Sequence, residues 1–279
     1  MIPQKKYWKN GKISDPSEAV VSAEDISVTR GYGIFDFFKI TNGVPLYFDK
    51  HLKRFRNSAG IMRIPIHYNN MEIREAVQSI IVENQVTVGA IRLLLTGGAG
   101  SDGYSVGLPE CIVSYHPFTA LPPGKLEKGM SLMLVDYFRP FGKAKTINYE
   151  MGVWMQPVLK EKEFDDCLYV FNDQVYECPR ANIFILNKSG SLLTPGDNVL
   201  EGITRENTMQ AAARILPVEI RAFSTKELLE AREVFITSTS KSVFPVTRIN
   251  EQTIGDGIPG PVTLQLRKIL ADLESNPVH

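Results

Sequence analysis

Histidine is scarce in this chain, and the four present, His51, His67, His116 and His279, form no i,i+4 pair and no HExxH motif. A zinc hydrolase is thereby left without its ligand pattern, and no metal site is expected. Only three cysteines occur, Cys111, Cys167 and Cys178, without CxxC spacing. Neither a structural zinc site nor a disulfide framework follows, and the thiols are read as reduced, in a cytoplasmic protein. Charge of one sign is missing too, because thirty-one Lys plus Arg balance thirty-one Asp plus Glu. No global field exists to hold nucleic acid or an anionic membrane. No stretch reaches the roughly 18 consecutive apolar residues of a membrane span, and the opening MIPQKKYWKNGK has no apolar signal core, so neither secretion nor membrane insertion is expected. GxSxG and Walker-type GxxxxGK motifs are absent as well, which removes the commonest sequence arguments for an α/β-hydrolase or a P-loop NTPase.

What is present suffices for a large core, since 43% of the 279 residues are hydrophobic. Asn10-Gly11 and Asn42-Gly43 predict two hairpins with type I′ turns. Helices are expected from Asp49, as cap, to about Ile61 and over Met71 to Glu83. Apolar strands are expected at Ala90 to Thr96 and Cys111 to Tyr115, joined by an exposed, mobile glycine-rich link, 97–103. The paired prolines in Phe118 to Lys125 mark a linker, giving domains 1–120 and 121–279. Beyond it the spacing predicts a strand over Met130 to Tyr137 and a helix over Tyr149 to Glu161, kinked at Pro157. Short strands follow near Leu168, Gln174 and Ile183, with helices near Thr204 to Ile215, Thr225 to Ala231, opened by a Ser224/Glu227 capping box, and Pro261 to Glu274. Strands and helices mix without strict alternation, which favours an α+β fold.

Two segments have the makings of a phosphate site. Gly202-Ile203-Thr204-Arg205 opens a helical pattern, and Thr237-Ser238-Thr239-Ser240 follows an apolar strand. Each offers backbone N–H groups and hydroxyls at an element end; either alone is more readily a helix cap or a polar turn, and it is their conjunction that points to a phosphorylated ligand. Lys145, between a strand and a helix, is a candidate Schiff-base nucleophile. On local grounds Lys143 is equally suited.

Taken in order, Gly31-Tyr-Gly33-Ile-Phe35-Asp36, His51-Leu-Lys-Arg54, Lys145-Thr-Ile-Asn148-Tyr149, Glu177 with Asn182-Ile-Phe184, Leu200-Glu-Gly202-Ile203-Thr204-Arg205 and Phe235-Ile-Thr-Ser238-Thr239 resemble the class IV, or fold-type IV, pyridoxal-phosphate enzymes. These include branched-chain and D-amino-acid aminotransferases and 4-amino-4-deoxychorismate lyases. The likeness spans about Trp8 to Val262. It implies a two-domain α+β fold with most cofactor contacts in the C-terminal domain, and a homodimer. It also implies pyridoxal 5'-phosphate as cofactor, bound through an internal aldimine with Lys145 rather than Lys143. Glu177 is similar to the carboxylate that pairs with the pyridine nitrogen. Arg54, the amides of Ile203 and Thr204, and Ser238 with Thr239 match the phosphate cup, and Tyr149 matches a contact to the phenolic oxygen.

Departures fall near the substrate. Asp36 replaces a customary Glu, Arg30 stands where an aromatic is common, and Cys178-Pro179-Arg180 follows Glu177 where small residues are usual. Arg30, Phe35, Arg92, Arg180 and Lys241 are the candidate substrate contacts. The resemblance implies transamination between an amino acid, branched-chain among the candidates, and a 2-oxo acid. A lyase releasing pyruvate is the alternative, and a non-catalytic relative that binds the cofactor is the third reading.

Overall fold

The computed structural model describes residues 5–118, 122 and 124–275. The expected domain boundary at 120/121 and His279 lie outside the described residues. Two compact units are present, one of Met1–Thr119 with Ala144–Asn148, the other of Ala120–Lys143 with Tyr149–His279.

The first unit contains β1 (Tyr7–Lys9), β2 (Lys12–Ser14), α1 (Ile26–Thr29), β3 (Gly33–Thr41), β4 (Val44–Pro45), α2 (Phe48–Ile61), α3 (Asn70–Glu83), β5 (Val88–Thr96) and β6 (Cys111–His116). Its sheet has the antiparallel order β2-β1-β6-β5-β3-β4. Asn10 and Gly11, like Asn42 and Gly43, have positive φ, as the two-residue hairpin turns require. Along β3 the buried positions alternate as Ile34, Asp36, Phe38 and Ile40, so the period of two puts one carboxylate on an apolar face. Leu52, Phe55 and Ala59 of α2 and Ile73, Val77 and Ile80 of α3 pack in the same core, at helical spacing.

Several local expectations change. Asp49 is not the cap of α2; Tyr47 occupies that place with a left-handed backbone and no side-chain cap, and Asp49 lies in the first turn, paired with Arg74. α3 opens with a capping box between Asn69 and Glu72, a signal the sequence itself carries in Asn69-x-x-Glu72. The glycine-rich link is exposed only in part. Gly97 and Gly98 are buried, and a Cβ on Gly97 would lie 2.4 Å from Ile26. The link needs glycine there for close packing.

The second unit comprises α4 (Lys125–Lys128), β7 (Met130–Asp136), α5 (Glu150–Trp154), α6 (Gln156–Glu161), β8 (Asp166–Phe171), β9 (Gln174–Val175), β10 (Glu177–Cys178), β11 (Ala181–Leu186) and β12 (Leu192–Thr194). These are followed by α7 (Ile203–Ala212), β13 (Val218–Ile220), α8 (Thr225–Leu229), β14 (Glu233–Ser238), β15 (Ser242–Ile249), β16 (Gln252–Thr253) and α9 (Pro261–Ser275). The sheet runs β13-β12-β11-β14-β15-β7-β8-β9, with β10 on β11 and β16 on β15. Parallel pairs occur at β12–β13, β15–β7 and β7–β8. Central strands β11 and β14 are buried on both faces. Ile183, Ile185, Val234 and Ile236 face one core, while Phe184 and Phe235, stacked 4.9 Å apart, face another with Leu266 and Leu270 of α9. The expected kinked helix is two short helices, broken at Met155, with Pro157 in the first turn of the second, where a missing N–H costs no helical bond. At α8 only half of the capping box forms, because Glu227 turns to Arg221.

Candidate active site

In the first unit, Lys145 is fixed by its backbone. Its N–H donates to Ser58 Oγ at 3.0 Å, and its C=O accepts from the Phe35 N–H at 3.0 Å. Ile147 donates to the Gly33 carbonyl, and Thr146 bridges to Ile34. The segment thus pairs with the N-terminal end of β3 through an isolated antiparallel bridge, with Lys145 half-buried while Lys143 is exposed. Lys145 Nζ stands 4.5 Å from the Phe35 ring centroid, and the Arg92 guanidinium carbon lies 5.8 Å from the same ring. Phe35, Lys145 and Arg92 are therefore neighbours. Arg54 Nε and Nη2 donate to Asp36 at 2.9 and 2.8 Å. Arg30 is exposed and donates to the Thr29 carbonyl.

In the second unit, Glu177 is buried, with 4% of its surface exposed. Its Oε1 accepts from Arg139 Nε at 2.9 Å and Nη2 at 2.6 Å, while Oε2 accepts from the Leu200 N–H at 2.9 Å and Asn182 Nδ2 at 3.3 Å. Both arginine nitrogens converge on one carboxylate oxygen, a charge-assisted contact. Arg139 is a residue that the sequence reading missed. It sits beside Pro140 outside any helix or strand, and its partner is far along the chain. The only available signal was general: a buried carboxylate requires a cation. Asn182 Nδ2 also donates to the Leu200 carbonyl at 2.8 Å, and Tyr149 is the half-buried residue at the cap position of α5.

Ile203 and Thr204 open the ten-residue helix α7 behind Gly202, with no side-chain cap. Its first N–H groups point from the positive end of a helix dipole. A Cβ on Gly202 would lie 2.1 Å from Asn182 Oδ1, which accounts for glycine at that position. β14 ends at Ser238, whose Oγ accepts from the Lys241 N–H at 3.2 Å. Beside it the Thr237 hydroxyl is buried without a hydrogen-bond partner. Uncapped helical amides and an orphaned hydroxyl are what a phosphate-bearing group would satisfy, and the acceptor-only Glu177 suits a protonated ring nitrogen. The residues fit pyridoxal phosphate.

Arg180 and Lys241 interact with each other and with buried Asp166. Burial, and then Arg180, lowers the pKa of Lys241, whereas burial raises that of Asp166 against the pull of Arg180. Two cations and one reluctant carboxylate leave local positive charge.

Comparison with known proteins covers most of the chain. A family model described as Amino-transferase class IV matches residues 33–249. D-alanine aminotransferase from Bacillus licheniformis is 29% identical over 270 residues, covering 95% of each chain. The T.th. branched-chain amino acid aminotransferase, solved with pyridoxamine 5'-phosphate, superposes with a TM-score of 0.88 at 27% identity, over 98% of this chain and 94% of that one. The Escherichia coli branched-chain enzyme has the same fold, with a TM-score of 0.85 at 23% identity, over 97% of this chain and 94% of that one. Among the described residues no helix is long and apolar enough to cross a membrane. The chain belongs to the class IV aminotransferase family and has the fold-type IV architecture.

Proposed function

We propose that this aminotransferase uses pyridoxal 5'-phosphate to move an amino group between an amino acid and a 2-oxo acid, with Lys145 as its covalent anchor. The cofactor supplies an electron sink for the charge left when the substrate Cα loses its proton. Lys145, on a backbone tied at both N–H and C=O, carries that proton as base and then as acid. Glu177 keeps the pyridine nitrogen protonated. Glu177 Oε2, which also accepts from the Leu200 N–H and Asn182 Nδ2, would be the acceptor facing that nitrogen. Arg54, the amides of Ile203 and Thr204, and Ser238 and Thr239 bind the phosphate, and Tyr149 the phenolic oxygen. Arg180 and Lys241 attract the substrate carboxylate, with Arg30, Phe35 and Arg92 lining its approach. We further propose a cytoplasmic homodimer.

The observation that carries the cofactor reading is the buried, acceptor-only Glu177 beside Arg139. Its test is the absorption spectrum of cofactor-loaded protein titrated with L- and D-amino acids, then with a 2-oxo acid. Loss and recovery of the cofactor band is the expected result and ranks the substrates. A band that never responds, or pyruvate released without an oxo-acid acceptor, overturns transamination.

A pH dependence follows from Lys241. Its pKa is lowered, first by burial and then by Arg180, so its charge is complete at low pH and is lost as pH rises through a value below that of an ordinary lysine. The KM for a 2-oxo acid, which has no amine to titrate, is expected to climb across that alkaline range. Lys241→Met should have a higher KM with that limb flattened. An unchanged KM profile in the variant removes Lys241 from the carboxylate site.

A further inference from the structure

A fully buried carboxylate on an apolar strand face requires an explanation. Asp36 is 0% exposed and shares its face of β3 with Ile34, Phe38 and Ile40. A hydrophobic residue there would extend the core without desolvating a charge, and buried ion pairs are often no more stabilising than apolar replacements of similar volume. Stability alone therefore does not account for the aspartate.

The geometry around it is specific. Oδ1 accepts from His51 Nδ1 at 2.7 Å, from Arg54 Nη2 at 2.8 Å and from the Phe37 N–H at 2.7 Å, while Oδ2 accepts from Arg54 Nε at 2.9 Å. His51 and Arg54 are three residues apart on α2 and so lie on one helix face. Since an ionised carboxylate only accepts, His51 donates through Nδ1. Asp36 occupies the Nε–Nη2 edge of the guanidinium, which turns the Nη1 end away from the carboxylate. Burial alone would raise the Asp36 pKa, yet Arg54 and His51 hold it well below the ordinary carboxylate range. Burial lowers that of His51, so the imidazole is neutral when it donates. The network is one anion, one cation and one neutral orienter, with Arg54 held by both oxygens of Asp36.

We propose that Asp36 and His51 are positioning residues that aim Arg54 at the cofactor phosphate, so that this buried pair sets how strongly the chain prefers a phosphorylated ligand. The inference rests on the assignment of Arg54 to the phosphate given above. An arginine aimed in advance loses less side-chain freedom on binding than a mobile one, and its bidentate grip fixes direction as well as charge. Through Arg54 and His51 the aspartate ties one face of α2 to β3.

The test compares two ligands on cofactor-free protein, pyridoxal phosphate and pyridoxal, by equilibrium titration of absorbance. Both can react with Lys145, but only the first engages Arg54. Wild type should prefer the phosphorylated ligand strongly. Asp36→Asn should weaken that ligand by about 10- to 100-fold, as expected when one partner of a buried charge pair is truncated, and leave pyridoxal unchanged. Asp36→Glu, which keeps the charge, should retain more of the preference than Asp36→Asn. If Asp36→Asn fails to fold, by circular dichroism and melting, His51→Gln decides, with an expected loss of about fivefold for the phosphorylated ligand alone. Equal losses for both ligands, or none for either, in a folded variant overturn the positioning role while leaving the cofactor reading intact. A wild type that binds pyridoxal phosphate no better than pyridoxal overturns the assignment of Arg54 to the phosphate, and the positioning role with it. A wild type that binds neither ligand overturns the cofactor reading itself.

Discussion

Alanine at position 145 is expected to eliminate the borohydride-reducible cofactor adduct and to lower turnover by at least about 10²- to 10⁴-fold, the range lost with a proton-transferring group. The fold should survive, because the bonds that hold this segment come from the backbone: N–H to Ser58 Oγ, and C=O from Phe35. Only the side chain is removed, and with it the amine 4.5 Å from the Phe35 ring. Lys143→Ala is the matched control. Lys143 is exposed, and its loss should leave both adduct and rate within a factor of about two, as for most surface substitutions. Peptide mass spectrometry after reduction locates the modified lysine. Partial recovery of Lys145→Ala by a small added amine would identify the missing function as the amine itself. An adduct that persists in Lys145→Ala sinks the assignment.

Glu177→Gln should produce the second large effect, and on two quantities at once. An amide at this site cannot hold a proton on the pyridine nitrogen, so turnover should fall by about 10²-fold or more, on the scale of removing one electrostatic stabiliser. The same change strips Arg139 of its counter-ion, although only 15% of the arginine side chain is exposed. Breaking a buried pair by removing one partner costs about 3–5 kcal/mol, which for a chain of this size lowers Tm by roughly 6–20 °C. The double variant Arg139→Met/Glu177→Gln separates the two roles. Tm should recover much of the loss, because neither charge is left unpaired, while turnover stays low. Recovery of turnover in the double variant would mean that Glu177 acts only as the partner of Arg139.

Which features were legible in the sequence follows from their range. The hairpins at Asn10-Gly11 and Asn42-Gly43 and most helices rest on local rules of turn chemistry and period, and they appear nearly where the sequence puts them. The motif residues gave the family because their order is kept across the chain. Arg139, by contrast, has no local pattern, since its importance comes from a partner brought next to it only by folding. The three-way contact of Asp36, His51 and Arg54 was hidden for a similar reason. His51 and Arg54 are visible as helical neighbours, but that an aspartate faces inward on β3 depends on strand alternation and on what packs there. The glycines at 97 and 98 looked like a loose link because composition reports backbone freedom and not the neighbours that occupy the space of a missing Cβ.

The segment Ala144–Asn148 completes the edge of a strand that was synthesised more than a hundred residues earlier. During translation at about 5–20 residues per second, the Gly33 carbonyl and Phe35 amide at the end of β3 must wait for several seconds before Ile147 and Lys145 arrive to pair with them. The first unit therefore cannot close as the nascent chain leaves the ribosome. Its completion is timed by the appearance of the reactive lysine, so that a chain stopped before residue 145 would present an unfinished strand edge as well as an inert protein.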